Sequence, residues 1–502
     1  MKYANPIISG FYPDPSICRV GEDYYLVTSS FEYFPGVPVF HSRDLVHWEQ
    51  IGHCLTTATQ LPLAQAGSSK GIFAPTIRYH DGVFYMVTTN VSVGKHFYVF
   101  TDNPEGPWSE PIWIDQEGID SSLFFDDDGK VYFTWTNFAG ISQAEIDIKT
   151  GAFKHEPRLI WKGTGGRYPE APHLYKINGL YYLMIAEGGT EYGHMETIAR
   201  SESPWGPFEP CPRNPILTHR NQGAQVIQGT GHADLIEAHD GSWWMVFLGF
   251  RPIEQYANYH HLGRETFLAP VKWDESGWPV VYHDGTVDLE MEAEGLKPYV
   301  FIGDATQDDF DQPHLQLKWN FLRNPYAENW SLRERPGWLR LKGSAVRLDD
   351  VDSPAFVGRR QRHLSCKVRT LLDFSPRAEH EEAGLTVLMN EQHHYEIAVS
   401  YREGARIVMV RRRIGDLSAI VAQAAIPNGL IVLEIQAMPK LYSFAYSLEG
   451  QEAKVLATGS TRYLSSEVAG GFTGVYFGLY ATGNGQVSTS PADFDWFDYQ
   501  PS

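Results

Sequence analysis

Cysteine, positive charge and long apolar runs are all scarce in this chain of 502 residues. The four cysteines, Cys18, Cys54, Cys211 and Cys366, lie far apart and form no CxxC pair. We therefore expect buried free thiols rather than disulfides or a metal site. Lysine and arginine number 41 against 61 aspartates and glutamates, and the net charge of −20 argues against nucleic acid or an anionic membrane as a partner.

Membrane and export signals are also lacking. No apolar run approaches the length of a membrane-spanning helix, and the first residues do not read as a signal peptide. These observations predict a cytoplasmic protein without membrane contact.

Aromatic residues, glycine and proline, by contrast, are abundant. Aromatics make up 14% of the chain beside 46 glycines and 31 prolines, as expected for many short strands joined by tight turns. The chain is too long for one ordinary core, so two domains are expected. The sequence thus predicts an all-β protein of two domains.

The N-terminal part of the chain contains a motif that recurs five times. Each copy has a short aromatic strand after a turn signal such as Asp81-Gly82 or Asp240-Gly241. These strands lie at residues 24–27, 84–87, 131–133, 181–184 and 243–246. A period of roughly 45 to 60 residues, with several strands in each unit, is typical of propeller blades. We therefore predict a five-bladed β-propeller over residues 1–298, because the pattern stops after 295–298.

Another short strand precedes each of these turns, and four of its five copies begin with an acid or a histidine. The five first residues are Asp14, Ala74, Asp120, Glu170 and His232. Equivalent positions in the blades of a propeller face one central channel, so we expect these side chains to meet. Like charges in one small space cannot all ionise cheaply, and at least one carboxyl pKa should be raised.

From about residue 306 the pattern is that of a different all-β module. Tyr395, Ile397, Val399 and Tyr401 alternate with other residues, as in a half-buried strand. Further strands are predicted at 366–372, 384–389, 407–411, 430–437, 441–447 and 475–480. Many antiparallel strands joined by short polar turns predict a β-sandwich over residues 306–502.

The three acids are of the type that glycosidic bond cleavage requires. Taken singly, an acid before a strand is more often a turn cap than a functional group. Repetition at equivalent positions favours function, because a raised-pKa acid beside an ionised carboxylate can protonate a departing oxygen while its partner activates water or attacks the sugar. Glu170, which has the longer side chain, is the better candidate for the proton donor. Asp14 is then the base, and Asp120 orients and tunes the acid.

Other residues near these positions have two interpretations each. His232 is either a hydrogen-bonded structural residue or a channel ligand of water or metal. Arg251 and Arg264 follow strands of the fifth repeat and are either surface cations or donors to sugar hydroxyls. Phe31 and Phe73 either stack on a sugar ring or pack between blades.

At these residues the chain resembles glycoside hydrolase family 43, and within it the β-xylosidase branch whose members carry a C-terminal β-sandwich. The resemblance covers nearly the whole chain. The segments that carry it are Phe11-Tyr12-Pro13-Asp14-Pro15-Ser16, Ala74-Pro75-Thr76-Ile77-Arg78-Tyr79, Glu170-Ala171-Pro172-His173-Leu174-Tyr175 and Leu262-Gly263-Arg264-Glu265-Thr266. It implies a five-bladed propeller followed by a concanavalin A-like jelly roll. It also implies inversion of configuration, with Asp14 as general base, Glu170 as general acid and Asp120 as the third carboxylate.

The resemblance extends to the residues around the acids. It implies that Arg264 grips the sugar in the deepest subsite, that Phe31 lines the substrate, and that Arg251 lies in a family-like segment with a less defined duty. It further implies that Phe472 belongs to a sandwich loop that helps to close the pocket mouth. His232 matches a channel histidine that contacts calcium or another divalent ion in some members, although no cofactor is expected to be required. A homo-oligomer is also consistent with the resemblance.

Three functions follow as hypotheses. The first is an inverting exo-acting β-xylosidase that releases D-xylose from the non-reducing ends of β-1,4-xylo-oligosaccharides. The second is an α-L-arabinofuranosidase, or one enzyme with both activities, since Phe73 stands where close β-xylosidases carry tryptophan. The third is a non-catalytic carbohydrate-binding propeller, and the presence of all three carboxylates argues against it.

Overall fold

The computed structural model describes residues 2–502 except 138, 293, 295, 302 and 304. Met1 and Gly295, at the start and near the end of the predicted propeller, lie outside the described residues. Within the described part, helix is confined to Ala327–Asn329, Thr461–Leu464 and Ser466–Ala469. None of these helices is long and apolar enough to cross a membrane. The predicted all-β class is confirmed.

In the described part of the chain, residues 16–281 form five antiparallel sheets of four strands each. Sheet 1 contains Ser16–Val20, Asp23–Val27, Gly36–Ser42 and Glu49–Leu55. Sheet 2 contains Thr76–His80, Val83–Asn90, Lys95–Thr101 and Ile112–Ile114. Sheet 3 contains Ile119–Phe125, Val131–Thr136, Ile141–Ile146 and Arg158–Trp161. Sheet 4 contains Glu170–Ile177, Leu180–Glu187, Met195–Ser201 and Glu209–Pro210. Sheet 5 contains Gln228–Glu237, Trp243–Phe250, Glu265–Trp273 and Pro279–Val281.

The turn signals read from the sequence join the first two strands of each sheet. In sheet 2, Asp81 and Gly82 have φ angles of 48° and 85°, and in sheet 4, Asn178 and Gly179 have φ angles of 51° and 82°. Two consecutive residues with positive φ make the tight hairpin whose twist matches that of the strands. Asp, Asn and Gly are the residues that adopt this conformation at least cost, so the sequence specifies these hairpins directly.

The five sheets are arranged in a ring. The first strands of successive sheets contact one another, and the first strand of sheet 5 contacts that of sheet 1. The N-terminal segment closes the ring, because the Asn5 side-chain amide exchanges two hydrogen bonds of 3.0 Å with the Leu268 backbone. Ile8 also bridges Thr266, and strand Lys2–Ala4 pairs with Glu290–Glu292. The start of the chain is therefore fixed to the last sheet.

A buried carboxylate, Asp234, lies at the centre of this ring. It accepts hydrogen bonds from Arg78 Nη1 at 2.7 Å, Arg78 Nη2 at 3.1 Å, Ser16 Oγ at 2.7 Å and the Tyr175 hydroxyl at 2.6 Å. Arg78 Nη2 also lies 2.9 Å from His173 Nδ1. Burial acts to raise the pKa of Asp234, but the charge of Arg78 and these hydrogen bonds outweigh it and lower the pKa to about 2. One ion pair thus ties together sheets 1, 2, 4 and 5.

The C-terminal part, residues 307–501, forms two packed antiparallel sheets. The six-stranded sheet has the order Ala355–Arg360, Tyr476–Thr482, Glu382–Asn390, His393–Arg402, Ala405–Ile414 and Leu417–Ala425. The eight-stranded sheet has the order Trp330–Ser331, Leu339–Lys342, Pro491–Pro501, Cys366–Asp373, Ile431–Met438, Leu441–Leu448 and Lys454–Ser460, with Gln307–Asp308 also paired to Pro491–Pro501. Tyr395, Ile397 and Val399 fill one core between the sheets, as the alternation predicts, whereas Tyr401 is not part of it. The prediction of a half-buried strand is wrong, because the residues of the other face, such as Glu396 and Ala398, are buried as well. The four cysteines are buried and unpaired, also as predicted.

The two parts of the chain meet through an aromatic interface. One buried cluster combines Phe11, Phe31 and Tyr33 with Phe356 and Tyr476. The rings of Tyr33 and Tyr476 are stacked with centroids 3.9 Å apart. Strand Tyr33–Phe34 pairs with Phe321–Leu322, so backbone hydrogen bonds also cross the interface. The sandwich is therefore packed directly beside residues that the sequence places near the predicted site.

We expect Asp234→Ala to destabilise the protein by about 3–5 kcal/mol, because it leaves the largely buried Arg78 guanidinium without its carboxylate. Urea unfolding followed by tryptophan fluorescence measures this change. Glu292→Ala is the matched control, since it breaks an exposed pair with Lys2 and should leave the unfolding midpoint almost unchanged. Equal effects of the two substitutions would contradict a central role for the Asp234 ion pair.

Candidate active site

Asp14, Asp120 and His232 are directed into the ring by the same local backbone conformation. Their φ angles are 56°, 55° and 50°, and each residue lies two positions before a residue in the regular part of its first strand. Where a strand is irregular, a residue with left-handed backbone angles directs its side chain to a different side from the one that regular strand alternation would give. In sheet 4 the residue with this conformation is Ala171, at 52°. Glu170 therefore lies one residue before the equivalent position, which corrects the alignment expected from the sequence.

Asp14 is buried and surrounded by donors. It accepts hydrogen bonds from Arg264 Nη1 at 2.6 Å and from Ser29 Oγ at 2.5 Å, and His232 Nδ1 lies 3.7 Å from its Oδ1. Burial acts to raise the pKa of Asp14, but the charges of Arg264 and His232 and the two hydrogen bonds outweigh burial and lower the pKa below its usual range. Asp14 is thus held as a carboxylate.

For Asp120 and Glu170, the factors that raise the carboxyl pKa outweigh those that lower it. Asp120 is buried, and its Oδ2 accepts a hydrogen bond from the Ala171 backbone N–H at 3.1 Å, which fixes the chain next to Glu170. Burial and then the negative charge of Asp14 raise the pKa of Asp120, although His232 opposes them. Burial, followed by the charges of Asp120 and Asp14, raises the pKa of Glu170 well above its usual value. Glu170 is thus held as a neutral acid.

The three carboxyl groups therefore form one cluster in which, after burial, the charge of Asp14 raises the pKa of Asp120 and the charges of both raise that of Glu170. The cluster has an ionised residue, Asp14, on one side and a neutral acid, Glu170, on the other. At the Asp14 end the charge is compensated by a guanidinium in direct contact. At the Glu170 end Arg264 opposes the shift but is outweighed by burial and by two carboxylates. A proton donor and an ionised base facing the same space can together transfer a proton to one oxygen and remove a proton from another.

Arg264 joins this cluster to the sandwich. Besides Asp14, its Nη1 donates to Thr190 Oγ1 at 3.1 Å, and its Nη2 donates to the Phe472 carbonyl at 3.4 Å. Its guanidinium carbon lies 5.8 Å from the Phe31 ring centroid and 5.7 Å from that of Phe472. Its Nε is buried and has no hydrogen-bond partner among the described residues. This buried donor is therefore unsatisfied within the described part of the unliganded protein.

Three phenylalanines form an aromatic wall beside Arg264. The ring centroids of Phe31 and Phe73 are 5.2 Å apart, and Phe472 lies 6.1 Å from Phe31 and 6.0 Å from Phe73. Phe31 is buried in the interface cluster, whereas Phe472 is 40% exposed. The structure thus brings together Phe31, Phe73 and Phe472, and of these Phe472 presents the most open surface.

Arg251 is not part of this cluster. Its Nε and Nη2 donate to the two carboxylate oxygens of the buried Glu265 at 2.7 and 2.9 Å. Glu265 Oε1 also accepts a hydrogen bond from the Gly10 backbone N–H at 2.8 Å. Arg251 therefore neutralises the residue next to Arg264 and helps to fix the N-terminal segment that leads to Asp14.

The residues around His232 do not by themselves fit a directly coordinated divalent ion. No group of three or more His, Cys, Asp or Glu side chains in the described ranges has the geometry to hold a metal. His232 Nδ1 is directed towards Asp14, and the guanidinium of Arg78 already neutralises the buried Asp234 two residues further along the strand. An ion beside His232 would need water for most of its ligands.

Two polar residues of the site were not identified from the sequence. Ser29 lies in the run Thr28-Ser29-Ser30, where nothing distinguishes the one hydroxyl that bonds to Asp14. Thr190 lies in a loop after sheet 4's second strand and bonds to Arg264. Ser29 lies 15 residues from Asp14 and Thr190 lies 74 residues from Arg264, so no pattern of adjacent residues indicates either contact.

Comparisons with known proteins identify the family of the chain. The family described as "Glycosyl hydrolases family 43" matches residues 3–279, and "Beta xylosidase C-terminal Concanavalin A-like domain" matches residues 307–500. A non-reducing end alpha-L-arabinofuranosidase of Bacteroides ovatus is 48% identical over 99% of this chain and 94% of its own length. A xylosidase/arabinosidase of Butyrivibrio fibrisolvens is 40% identical over 98% of both chains. A xylan 1,3-beta-xylosidase of a Vibrio species is 36% identical over 99% of this chain and 98% of its own.

Solved structures give the same result. The structure described as "Bacteroides ovatus Xyloglucan PUL GH43B" has a TM-score of 0.97 and 47% identity, with full coverage of both chains. A xylan beta-1,4-xylosidase from Bacillus halodurans has a TM-score of 0.94 and 36% identity, with 99% of this chain and 100% of that chain covered. The resemblance seen in the sequence is confirmed. The chain belongs to family 43 of the glycoside hydrolases, with the family's propeller followed by a concanavalin A-like domain.

Proposed function

We propose that this glycoside hydrolase removes terminal pentose units from non-reducing ends with inversion of configuration, and that α-L-arabinofuranosides are its principal substrates. The observation that carries the mechanism is the different surroundings of two carboxyl groups, since a guanidinium contacts Asp14, whereas burial and two carboxylate charges raise the pKa of Glu170. Asp14 is held ionised by Arg264, while burial and two neighbouring charges hold Glu170 neutral. An acid and a base in these states are the two groups that direct hydrolysis by water requires.

In the proposed reaction Asp14 accepts a proton from a water molecule as the water oxygen bonds to the anomeric carbon. The bond from that carbon to the glycosidic oxygen breaks, and Glu170 donates its proton to the departing oxygen. Asp120 contributes through Glu170, since its charge raises the Glu170 pKa and its carboxylate holds the Ala171 amide. His232 contributes through Asp14 by favouring the ionised base.

The remaining residues bind the terminal sugar. Arg264 borders the space proposed for the sugar, because its Nη1 donates to Asp14 and its Nη2 donates to the Phe472 carbonyl. Phe31, Phe73 and Phe472 offer an apolar wall to the sugar face. Arg251 supports the site indirectly by pairing with Glu265. We further infer that each four-stranded sheet is one blade of a five-bladed propeller whose open end carries this pocket.

The choice of sugar rests on two observations. The identity to the arabinofuranosidase, 48%, exceeds that to the xylan 1,3-beta-xylosidase, 36%. Residue 73 is also phenylalanine, whereas the family resemblance implies that close β-xylosidases usually carry tryptophan there, which would change the wall against which the sugar lies. Release of D-xylose from β-1,4-xylo-oligosaccharides is the second candidate, and the relative with both activities in its name, 40% identical, favours it as a side activity.

Hydrolysis of the 4-nitrophenyl glycosides tests the sugar preference. We expect kcat/KM on α-L-arabinofuranoside to exceed that on β-D-xyloside by about tenfold or more, which corresponds to about 1.4 kcal/mol of transition-state discrimination. Proton NMR should show β-L-arabinofuranose as the first product, and α-D-xylose first when xylobiose is cleaved. A larger kcat/KM on the xyloside would move the assignment to the second candidate, and a retained anomer would exclude direct attack by water.

Glu170→Ala should harm substrates with poor leaving groups far more than activated ones. Proton donation contributes about 10²–10⁴-fold when the leaving group is a sugar hydroxyl and much less when it is an acidic phenol. The measurement is kcat/KM on an arabino-oligosaccharide and on the 4-nitrophenyl glycoside. Asp14→Ala provides the comparison, since loss of the base should depress both substrates alike. Equal losses on both substrates in Glu170→Ala would mean that Glu170 is not the acid.

Asp120→Asn should shift the alkaline limb of the pH profile of kcat/KM to lower pH. The alkaline limb reports ionisation of Glu170, whose pKa is raised by burial and then by the charge of Asp120. Removing that charge lowers the Glu170 pKa, so activity is lost at a lower pH. Asp128→Asn, in the exposed turn after the same strand, is the control and should leave the limb in place. An unmoved alkaline limb in Asp120→Asn would contradict the coupling.

A further inference from the structure

The sandwich segment 465–475 contacts Arg264 of the candidate site and is bound near both ends to one loop, residues 251–264. Near its start, Glu467 accepts hydrogen bonds from the His260 backbone N–H at 2.9 Å and lies 2.8 Å from His260 Nδ1. At its end, the Val475 N–H donates to the His261 carbonyl at 3.0 Å. These contacts fix the segment to the loop that follows the second strand of sheet 5. They leave the position of its middle, around Phe472, to be set by other contacts.

The middle of the segment is held by two residues on different loops. The Phe472 N–H donates to Ser69 Oγ at 2.8 Å, and the Phe472 carbonyl accepts from Arg264 Nη2 at 3.4 Å. The approach to Ser69 is close, because a β-carbon added at Gly471 would lie 2.4 Å from Ser69 Oγ. Gly471 also has a φ of 83°, so both its space and its conformation require glycine. The backbone around Phe472 is thus shaped to reach Ser69.

Ser69 itself is rigidly placed. It is buried, its φ is 59°, and its backbone N–H donates to Glu32 Oε2 at 2.9 Å. Burial raises the pKa of Glu32 to about 8.

The loop that carries Ser69 is also tied to the sandwich. The hydroxyl of the neighbouring Ser68 donates to Glu391 at 2.5 Å, and Glu391 forms a buried ion pair with Arg323. Arg323 Nε in turn donates to the Ala66 carbonyl at 2.5 Å. Contacts with Glu32, Glu391 and Arg323 therefore hold this loop in place independently of its contact with Phe472.

We propose that Ser69 is a positioning residue of the active site, whose hydroxyl fixes the Phe472 backbone so that the Phe472 ring closes the pocket over the terminal sugar. The inference rests on the proposed function for its effect on catalysis, but the hydrogen bond it concerns exists without substrate. Ser69 belongs to the loop between sheets 1 and 2, whereas Phe472 belongs to the sandwich. Closure of the site therefore depends on a contact between the two halves of the chain.

Hydrogen exchange of the unliganded protein tests the contact directly. In Ser69→Ala the peptide that covers residues 470–475 should exchange about tenfold faster or more, because the Phe472 amide loses its acceptor. Ser69→Gly should behave alike and relieves the positive φ, which guards against a folding defect. Ser92→Ala is the matched control. Ser92 follows the second strand of sheet 2, and its Oγ accepts a hydrogen bond at 3.0 Å from the N–H of Gly71, which lies in the loop that carries Ser69. Unchanged exchange in both Ser69 variants would overturn the proposal, whatever the enzyme's substrate.

Kinetics then test whether the contact acts through Phe472. On whichever pentoside the enzyme cleaves, Ser69→Ala should raise KM about three- to tenfold with a smaller change in kcat, while Ser92→Ala leaves both unchanged. In the Phe472→Ala background the same Ser69 substitution should have almost no further effect, because there is no ring left to position. If the fold-changes in KM caused by Ser69→Ala and by Phe472→Ala multiplied in the double variant, the two residues would act independently and the proposal would be overturned.

Discussion

The ion pair between Asp234 and Arg78 is the interaction on which the rest of the site depends. It joins the first strands of two sheets directly, and through Ser16 and Tyr175 it reaches two more. His232 lies two residues before Asp234 on the same strand, so the position of the histidine beside Asp14 follows from the same anchor. A ring of sheets has no continuous core at its axis, and here a buried charge pair takes that place.

A second consequence of charge placement is the difference between Asp14 and Glu170. Burial acts on both in the same direction, towards the neutral acid. One guanidinium in contact with Asp14 reverses the outcome there, and the resulting negative charge strengthens the outcome at Glu170. The two protonation states are therefore not independent properties of two residues. Arg264 holds Asp14 ionised, and the charge of Asp14 adds to the burial and the Asp120 charge that raise the pKa of Glu170.

Much of the fold could be predicted from the sequence, because hairpin turns and alternating strands are local signals. Asp81-Gly82 and the alternation around Tyr395 specify their own structure. The exact placement of Glu170 could not be predicted, since an irregularity in the strand shifts it by one residue relative to Asp120. Arg251 shows the same limit, because its position after a strand does not reveal that Glu265 is its partner. Ser69 gives no sequence signal, since its role depends on a segment 403 residues away.

The proposed closure of the pocket by Phe472 also bears on the order in which products depart. In a site closed in this way, the cleaved pentose would lie at the inner end, with the remainder of the substrate between it and solvent. The remainder must leave first, and the monosaccharide can escape only afterwards through the same opening. The free pentose is then the last molecule bound before the next cycle, and it occupies the same form of the enzyme that the substrate binds. Accumulated product would therefore compete with substrate, and the rate of sugar release rather than bond cleavage can set the pace of turnover.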